Sequence, residues 1–369
     1  MKINFFEYKK LYFEHKRDYL RIFNDVCSRG AFILQKDLEN FESSLSSFLN
    51  IKYAIGTNDG TNALILGLLA NDILPGDEVI LPSHTYIATA AAVKLVGAKP
   101  VFADINLFDN LISADSIQKK ITQKTKAIMP VHVNGRICNM KKIKKIAQIN
   151  KLKIIEDGAQ SIGARLGKYY TGHYGECATI SFYPAKVLGC FGDGGAIVTN
   201  NKSIFTKLYQ LRDHGRDKNG NIILWGTNAR LDNMQAAFLN FKIKKLKNDI
   251  NKRRKIASIY NNELSSISKL NLIPGPSSTS PNYDVYQNYE ISAENRNKLR
   301  KFLEKNGIIT LVQWNGKAVH QIKTLNLEAD VPNTVHFFKK CIMLPIHTYL
   351  KEKEVVYICK KIKNFYENE

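Results

Sequence analysis

Nowhere in the 369 residues do cysteines stand in a Cys-x-x-Cys pair or another metal-ligand spacing. The six that exist, Cys27, Cys138, Cys177, Cys190, Cys341 and Cys359, are scattered. That pattern argues against a zinc site or a disulfide frame and for free thiols in a reducing compartment. Long hydrophobic runs are absent too. The best of them, from Ala63 to Ala70, is broken by Asn71 and Asp72, well short of the ~20 apolar residues a membrane-spanning helix needs. The opening MKINFFEYKKLYFEHKR carries charge throughout and lacks the apolar core of a secretory leader. A cytoplasmic protein with no membrane role is therefore expected. Neither of the common nucleotide fingerprints occurs: no Gly-Lys-Ser/Thr follows the glycines near residue 60, and there is no Gly-x-Gly-x-x-Gly opening a helix. Internal repeats and low-complexity tracts are likewise missing.

Against these absences stands TISFYPAKVLGCFGDGGAIVTNN, residues 179–201. It sets Lys186 between a β-type run, Thr179 to Tyr183, and a glycine-rich turn that leads into a second run, Ala196 to Thr199. A lysine in a tight loop beside buried strands is a candidate covalent amine, because burial lowers its pKa and frees the nucleophile. Taken alone, Lys186 is more readily read as a surface-turn residue. Upstream, LKIIEDGAQSIGA puts Asp157 just past a buried parallel strand, Leu152 to Ile155, at the edge where open α/β sheets gather their ligands. A carboxylate there can keep a pyridine nitrogen protonated and make pyridoxal 5'-phosphate (PLP) an electron sink; it can also simply cap a turn. In KYAIGTNDGTNALILGLLA, Gly60 and Thr61 fall where a helix begins, and helix N-termini cradle phosphate. A plain helix start gives the same pattern. Between these, Val79 to Leu81 reads as a strand, Ala88 to Val96 as a helix and Lys99 to Ala103 as a strand. Tyr86 lies in the loop after the first of them, able to stack on a flat cofactor or to fill core.

In combination these segments are far more specific than apart. GTNDGTNAL, LPSHTYIATA, EDGAQSIGA, SFYPAKVLGCFGDGGAIVT and WGTNARLDNMQAA, with QWNGKAVHQ and CIMLPIHTYL beyond them, make the chain resemble the DegT family of sugar aminotransferases over nearly its whole length. The resemblance implies an α/β fold of the aspartate-aminotransferase type (fold type I), with a mostly parallel sheet in a large PLP-binding domain and a small α+β carboxyl-terminal domain. It further implies that Lys186 forms the internal aldimine and shuttles the proton, that Asp157 pairs with the pyridinium nitrogen, and that Gln160 approaches the ring hydroxyl. Tyr86 would stack on the ring, and Gly60, Thr61 and Ser181 would hold the phosphate. Asn228 would reach the phosphate of the neighbouring subunit, so that a homodimer shares its active sites. Some relatives carry His in place of Lys186 and dehydrate; Lys186 points to transamination. Trp314 and His320 fall where relatives form part of the substrate pocket, and His214 and Arg230 are similar candidates. The segments QKDLENFE, residues 35–42, and HVNGRICNM, residues 132–140, depart from the commoner family forms near the substrate mouth; they bear on substrate and leave the cofactor assignment as it is.

The expected organisation is an amino-terminal helical arm over 1–30, a large domain over 31–250 and a small domain over 251–369. A long helix over 236–268 would lead out of the large domain to the Pro/Ser-rich connector LIPGPSSTSPNYD. The small domain would hold a strand Tyr286 to Ile291, a helix Asn295 to Asn306, a strand Ile308 to Val312 and a closing helix Glu352 to Tyr366. Acidic residues are few: 33 Asp and Glu against 54 Lys and Arg leave a net charge of +21. The excess concentrates in KKIKK (141–145), FKIKKLKNDINKRRKIA (241–257) and KEKEVVYICKKIKN (351–364). It can be a set of solvated helix faces or an electropositive approach for a nucleotide diphosphate; no nucleic-acid recognition module is legible. The expected reaction is amino transfer from L-glutamate to a nucleotide-linked keto-sugar for surface glycans such as lipopolysaccharide. A keto-cyclitol or small phosphorylated ketone is the alternative substrate, and a non-catalytic basic regulatory or nucleic-acid-binding protein the alternative of another class. The presence of Lys186, Asp157 and Ser181 together speaks against the last.

Overall fold

The computed structural model describes residues 2–369. Its centre is a seven-stranded sheet in the order Tyr53–Thr57, Gly195–Thr199, Cys177–Ser181, Lys153–Asp157, Thr125–Ile128, Glu78–Pro82, Lys99–Ala103. The last five in that order pair in parallel. Gly195–Thr199 runs antiparallel to both its neighbours, so six strands point one way and one points back. Glu78–Pro82 and Gly195–Thr199 are buried along their full length, as strands covered on both faces must be.

Alternation along each strand divides the core in two. Ile80, Ile128, Ile154, Ala196 and Val198 pack on one face with Phe41, Leu45, Phe182 and Leu239. Val79, Leu81, Ala127, Ile155 and Ile197 pack on the other with Leu64, Leu66 and Val93. The helix Gly60–Ala70 is apolar nearly all round because it is sandwiched there, and Ala63, Leu66 and Leu68 are fully buried. A second, three-stranded sheet, in the order Leu270–Asn271, Tyr289–Ala293, Cys341–Leu344, has its own core. Tyr260, Tyr289, Ile291, Leu299, Leu303 and Ile358 build it under the helices Leu246–Leu264, Arg296–Lys305 and Glu352–Glu367.

Several expected elements differ in the structure. The single long helix over 236–268 is two, Asn233–Ile243 and Leu246–Leu264. A tightened turn separates them, in which the Lys245 N–H reaches back only to the Lys242 carbonyl. The arm over 1–30 is likewise two helices, Tyr8–Glu14 and Lys16–Ser28, broken at His15. The strand expected from Tyr286 starts at Tyr289, because Tyr286 takes a left-handed φ of 50° that a strand cannot accommodate. Ile308 to Val312 forms no strand; Ile308 and Leu311 make isolated bridges to Ile3 and Met343. Asp157 is the last residue of its strand rather than the first beyond it. Among the described residues, no helix is long and apolar enough to cross a membrane.

Candidate active site

Parallel strands end together, so the loops after Thr57, Pro82, Asp157 and Ser181 meet along one edge of the sheet. At the first of these, Asp59 caps the helix Gly60–Ala70. Its carboxylate accepts the Asn62 N–H at 2.8 Å and its carbonyl the Ala63 N–H at 3.2 Å. Helix geometry leaves the N–H groups of Gly60 and Thr61 without intrahelical partners, at the positive end of the dipole. A Cβ on Gly60 would stand 2.9 Å from the Ser181 Cβ and 3.2 Å from its Oγ. Gly60 and Ser181 are thus walls of one narrow cradle, which a side chain at Gly60 would fill. Behind it, a Cβ on Gly195 would be 2.4 Å from the Asp59 carbonyl oxygen, so the antiparallel strand can pass only as glycine.

Asp157 is buried, and both carboxylate oxygens are oriented: Oδ2 accepts from Thr89 Oγ1 at 2.7 Å, and Oδ1 from the Ala159 N–H at 3.1 Å. The Thr89 hydroxyl has one proton, given to Asp157, so its 2.6 Å contact with Thr85 Oγ1 is a bond that Thr85 donates. Asp59, Thr85 and Thr89 were missed in the sequence. Thr89 lies in the first turn of the helix Ile87–Leu95 and Thr85 just before its N-cap, Tyr86, so no simple periodicity pairs them.

Lys186 lies half-buried in a turn closed by its own N–H on the Tyr183 carbonyl at 2.8 Å. Burial pulls its pKa from the ordinary 10.5 down to about 8, against the opposing pull of the Asp157 charge. Gln160 accepts the Asn134 N–H on Oε1 at 2.6 Å, which turns its NH2 group away as a free donor. Asn134 is itself fixed by the buried Glu290, whose Oε2 accepts from its Nδ2 at 2.7 Å. Tyr86, at the N-cap of Ile87–Leu95, is 57% exposed.

The other candidates are spread more widely. His320 sits on Ser83 at the same edge, with its Nδ1 2.6 Å from the Ser83 Oγ, and burial lowers its pKa. The Trp314 ring packs against His84 and Phe338. Arg230 forms an ion pair with Asp213 at 3.0 Å. His214, exposed and at a φ of 56°, is held by the backbone of Thr227. Asn228 is exposed on a hairpin whose base is stitched to the cradle: the Asn58 N–H donates to the Ala229 carbonyl, and Thr57 bridges Arg230. Among the described residues no group of three or more His, Cys, Asp or Glu side chains could hold a metal ion.

A lysine, a strand-end aspartate and a helix-start cradle on this sheet fit the class that comparisons with known proteins show, an aminotransferase of the PLP-dependent fold. Residues 14–363 match the family model described as the DegT/DnrJ/EryC1/StrS aminotransferase family, and the chain belongs to that family. It is 33% identical over 370 residues to the dTDP-3-amino-3,4,6-trideoxy-alpha-D-glucose transaminase of Streptomyces venezuelae, covering 99% of this chain and 97% of that one. It is also 34% identical over 369 residues, 99% of each chain, to a protein of Geobacillus stearothermophilus named a pleiotropic regulatory protein. The crystal structure of NtdA from Bacillus subtilis with bound cofactor PMP superposes with a TM-score of 0.91 at 31% identity, over 99% of this chain and 85% of that one. Family and neighbour together imply dependence on PLP and its amino form.

Proposed function

We propose that this aminotransferase moves an amino group from L-glutamate to a nucleotide-diphosphate-linked 3- or 4-keto-6-deoxyhexose, for surface glycans such as lipopolysaccharide. It would do so in the cytoplasm, as a homodimer with shared active sites. One observation carries the reading: Lys186, its pKa lowered to about 8, stands in the field of Asp157 beside the cradle between Gly60 and Ser181. The donor set suits PLP at both ends, with N–H and hydroxyl groups for a phosphate and an oriented carboxylate for a ring nitrogen. When bound, the cofactor supplies an electron sink for the pair of electrons left when the donor loses its Cα proton.

The protein's share follows from its geometry. At pH 7.5 an amine of pKa about 8 is roughly a quarter neutral, whereas one of ordinary pKa is neutral about once in a thousand molecules. Lys186 therefore has a lone pair with which to hold the cofactor, and later to take a proton at the donor Cα and return it to the product side. Asp157, pinned by Thr89 and Ala159, would hold the ring nitrogen. Gln160 would offer its free NH2 to the ring hydroxyl, and Tyr86 would cover the ring face. Gly60, Thr61 and Ser181 bind the phosphate.

The hairpin supports the shared site. Beside the exposed Asn228 it holds Ile222, Ile223 and Trp225 in solvent, the last 98% exposed, a patch suited to burial against a second subunit. The transaminase of S. venezuelae named above and the net charge of +21 support a nucleotide diphosphate as the sugar's handle. The regulatory alternative is not favoured, since a binding protein has no use for this amine, carboxylate and cradle together. The test is borohydride reduction of the yellow holoenzyme with peptide mapping, followed by a panel of keto-sugars with glutamate. Label on Lys186 and amination of a nucleotide-linked sugar are expected. Label on another lysine overturns the cofactor assignment. Turnover of only a phosphorylated ketone or keto-cyclitol overturns the substrate.

A further inference from the structure

The loop bearing Lys186 leaves the sheet at Ser181 and rejoins it at Gly195; past the Phe182 N–H, which donates to the Gly194 carbonyl at 2.7 Å, no strand partner fixes the backbone around Lys186. The peptide groups on either side of Lys186 are instead taken by one side chain. Gln287 accepts the Val187 N–H on Oε1 at 2.8 Å and donates from Nε2 to the Ala185 carbonyl at 2.9 Å. A primary amide carries donor and acceptor side by side, and here it brackets the lysine as a neighbouring strand would. Gln287 is 6% exposed and lies just before the strand Tyr289–Ala293 of the second sheet. Its own backbone is held in turn, since Arg253 Nη1 donates to its carbonyl at 3.2 Å and to that of Tyr286 at 3.1 Å. The next residue, Asn288, donates to the Asn134 Oδ1 at 2.9 Å, and Asn134 is the residue that turns Gln160. Residues 286–288 thus touch both the lysine side and the ring-hydroxyl side of the site.

We propose that Gln287 is a positioning residue for Lys186: its amide fixes the backbone on both sides of the lysine and so aims the amine and limits its contact with water. This rests on the reading of Lys186 as the cofactor-bearing amine. The remainder of the loop has separate anchors. Lys242 Nζ donates to the Gly189 carbonyl at 2.6 Å, and Gln235 takes both the N–H and the carbonyl of Phe191, at 3.0 and 3.3 Å. Losing Gln287 frees the lysine turn alone. The charged groups facing this region are Asp157 against Lys186, Arg253 against the Gln287 carbonyl and Lys242 at Gly189.

Two variants separate positioning from simple support. Gln287→Leu removes both bonds. Gln287→Glu keeps the acceptor for Val187, loses the donor to Ala185 and adds a negative charge. Three readouts apply: amide exchange at Val187, the kcat and glutamate KM of the holoenzyme, and the pH midpoint for labelling Lys186 with an amine reagent after the cofactor is stripped. For Gln287→Leu, Val187 should exchange about tenfold faster and kcat should fall about tenfold with KM nearly unchanged. The labelling midpoint should rise from about 8 toward that of an ordinary lysine. For Gln287→Glu, Val187 should stay protected while kcat falls and the midpoint rises. A lower melting temperature with kcat and midpoint both unchanged in either variant overturns the proposal. Should Gln287→Leu fail to fold, Gln287→Glu decides by kcat at matched KM, since its added charge raises the midpoint by itself. The labelling arm needs no cofactor, so a failure of the PLP reading, seen as borohydride label elsewhere in the wild type, is distinguishable from a failure here.

Discussion

Replacing Lys186 by methionine should make the cofactor-free protein more stable at neutral pH while abolishing turnover. The native fold lowers the Lys186 pKa from 10.5 to about 8 by burial. At about 1.4 kcal/mol per unit, holding the charged amine in place costs the fold about 3.5 kcal/mol as an upper bound. Lys186 keeps part of its surface in water, and solvent screening brings the expectation to about 2 kcal/mol. The sign follows from linkage. Between pH 8 and 10.5 the unfolded chain holds a proton on this amine that the native chain has released, so stability rises with pH across that window. The penalty is present in full below pH 8 and is gone above 10.5. Urea unfolding of wild type and Lys186→Met, at matched protein concentration and at pH 7 and 9.5, is the assay. The variant should lead by about 2 kcal/mol at pH 7 and by distinctly less at pH 9.5. A variant no more stable at pH 7, or a lead that does not shrink with pH, would refute the desolvation argument and with it the account of how the amine becomes nucleophilic.

Asp157→Asn should leave the fold and most cofactor binding intact but lower kcat by about two to three orders of magnitude; a lower melting temperature with unchanged kcat would mark Asp157 as a turn cap. Gly60→Ala should weaken PLP binding by about tenfold or more, because the added Cβ meets Ser181 at 2.9 Å; an absorbance titration measures it, and unchanged affinity would remove Gly60 from the phosphate site. Mixing inactive Lys186→Ala with an inactive Asn228→Ala variant should restore part of the activity, since one site in each mixed dimer then has both residues. Verified subunit exchange without any recovery would exclude a shared site.

The residues legible in the sequence are those whose local pattern and role coincide. Gly60 and Thr61 announce a helix start, and they begin the helix Gly60–Ala70. Lys99 to Ala103 reads as a strand because β-type residues follow a turn, and it is one with those bounds. Asp157 falls at a strand end either way. What stayed hidden depends on contacts between distant segments. Nothing near Gln287 in the chain indicates that its amide will meet Lys186, 101 positions earlier, nor that Glu290 will orient Gln160 through Asn134. The break at Lys244 and Lys245 is hidden for another reason. Apolar residues at helical spacing continue through it, from Phe241 and Ile243 to Leu246 and Ile250, and periodicity does not register a tightened turn. Tyr286 shows the converse, an aromatic in a β-rich run whose left-handed backbone removes it from the strand.

The one reversed strand has a consequence for how the site tolerates change. Because Gly195–Thr199 runs back along Cys177–Ser181, with Ser181 opposite Gly195, the chain returns to the point it left, and residues 182–194 form a loop joined to the sheet at one end only and held elsewhere by side chains. Thr57 also faces Gly195 from the other side. The cradle proposed for the phosphate is therefore referenced to the sheet, while the amine is referenced to the loop and its separate anchors. A mutation or insertion within the loop can shift the lysine without disturbing the cradle, and such a protein would still capture the phosphate while misplacing the reacting nitrogen. Binding and chemistry are thus separable by position along the chain.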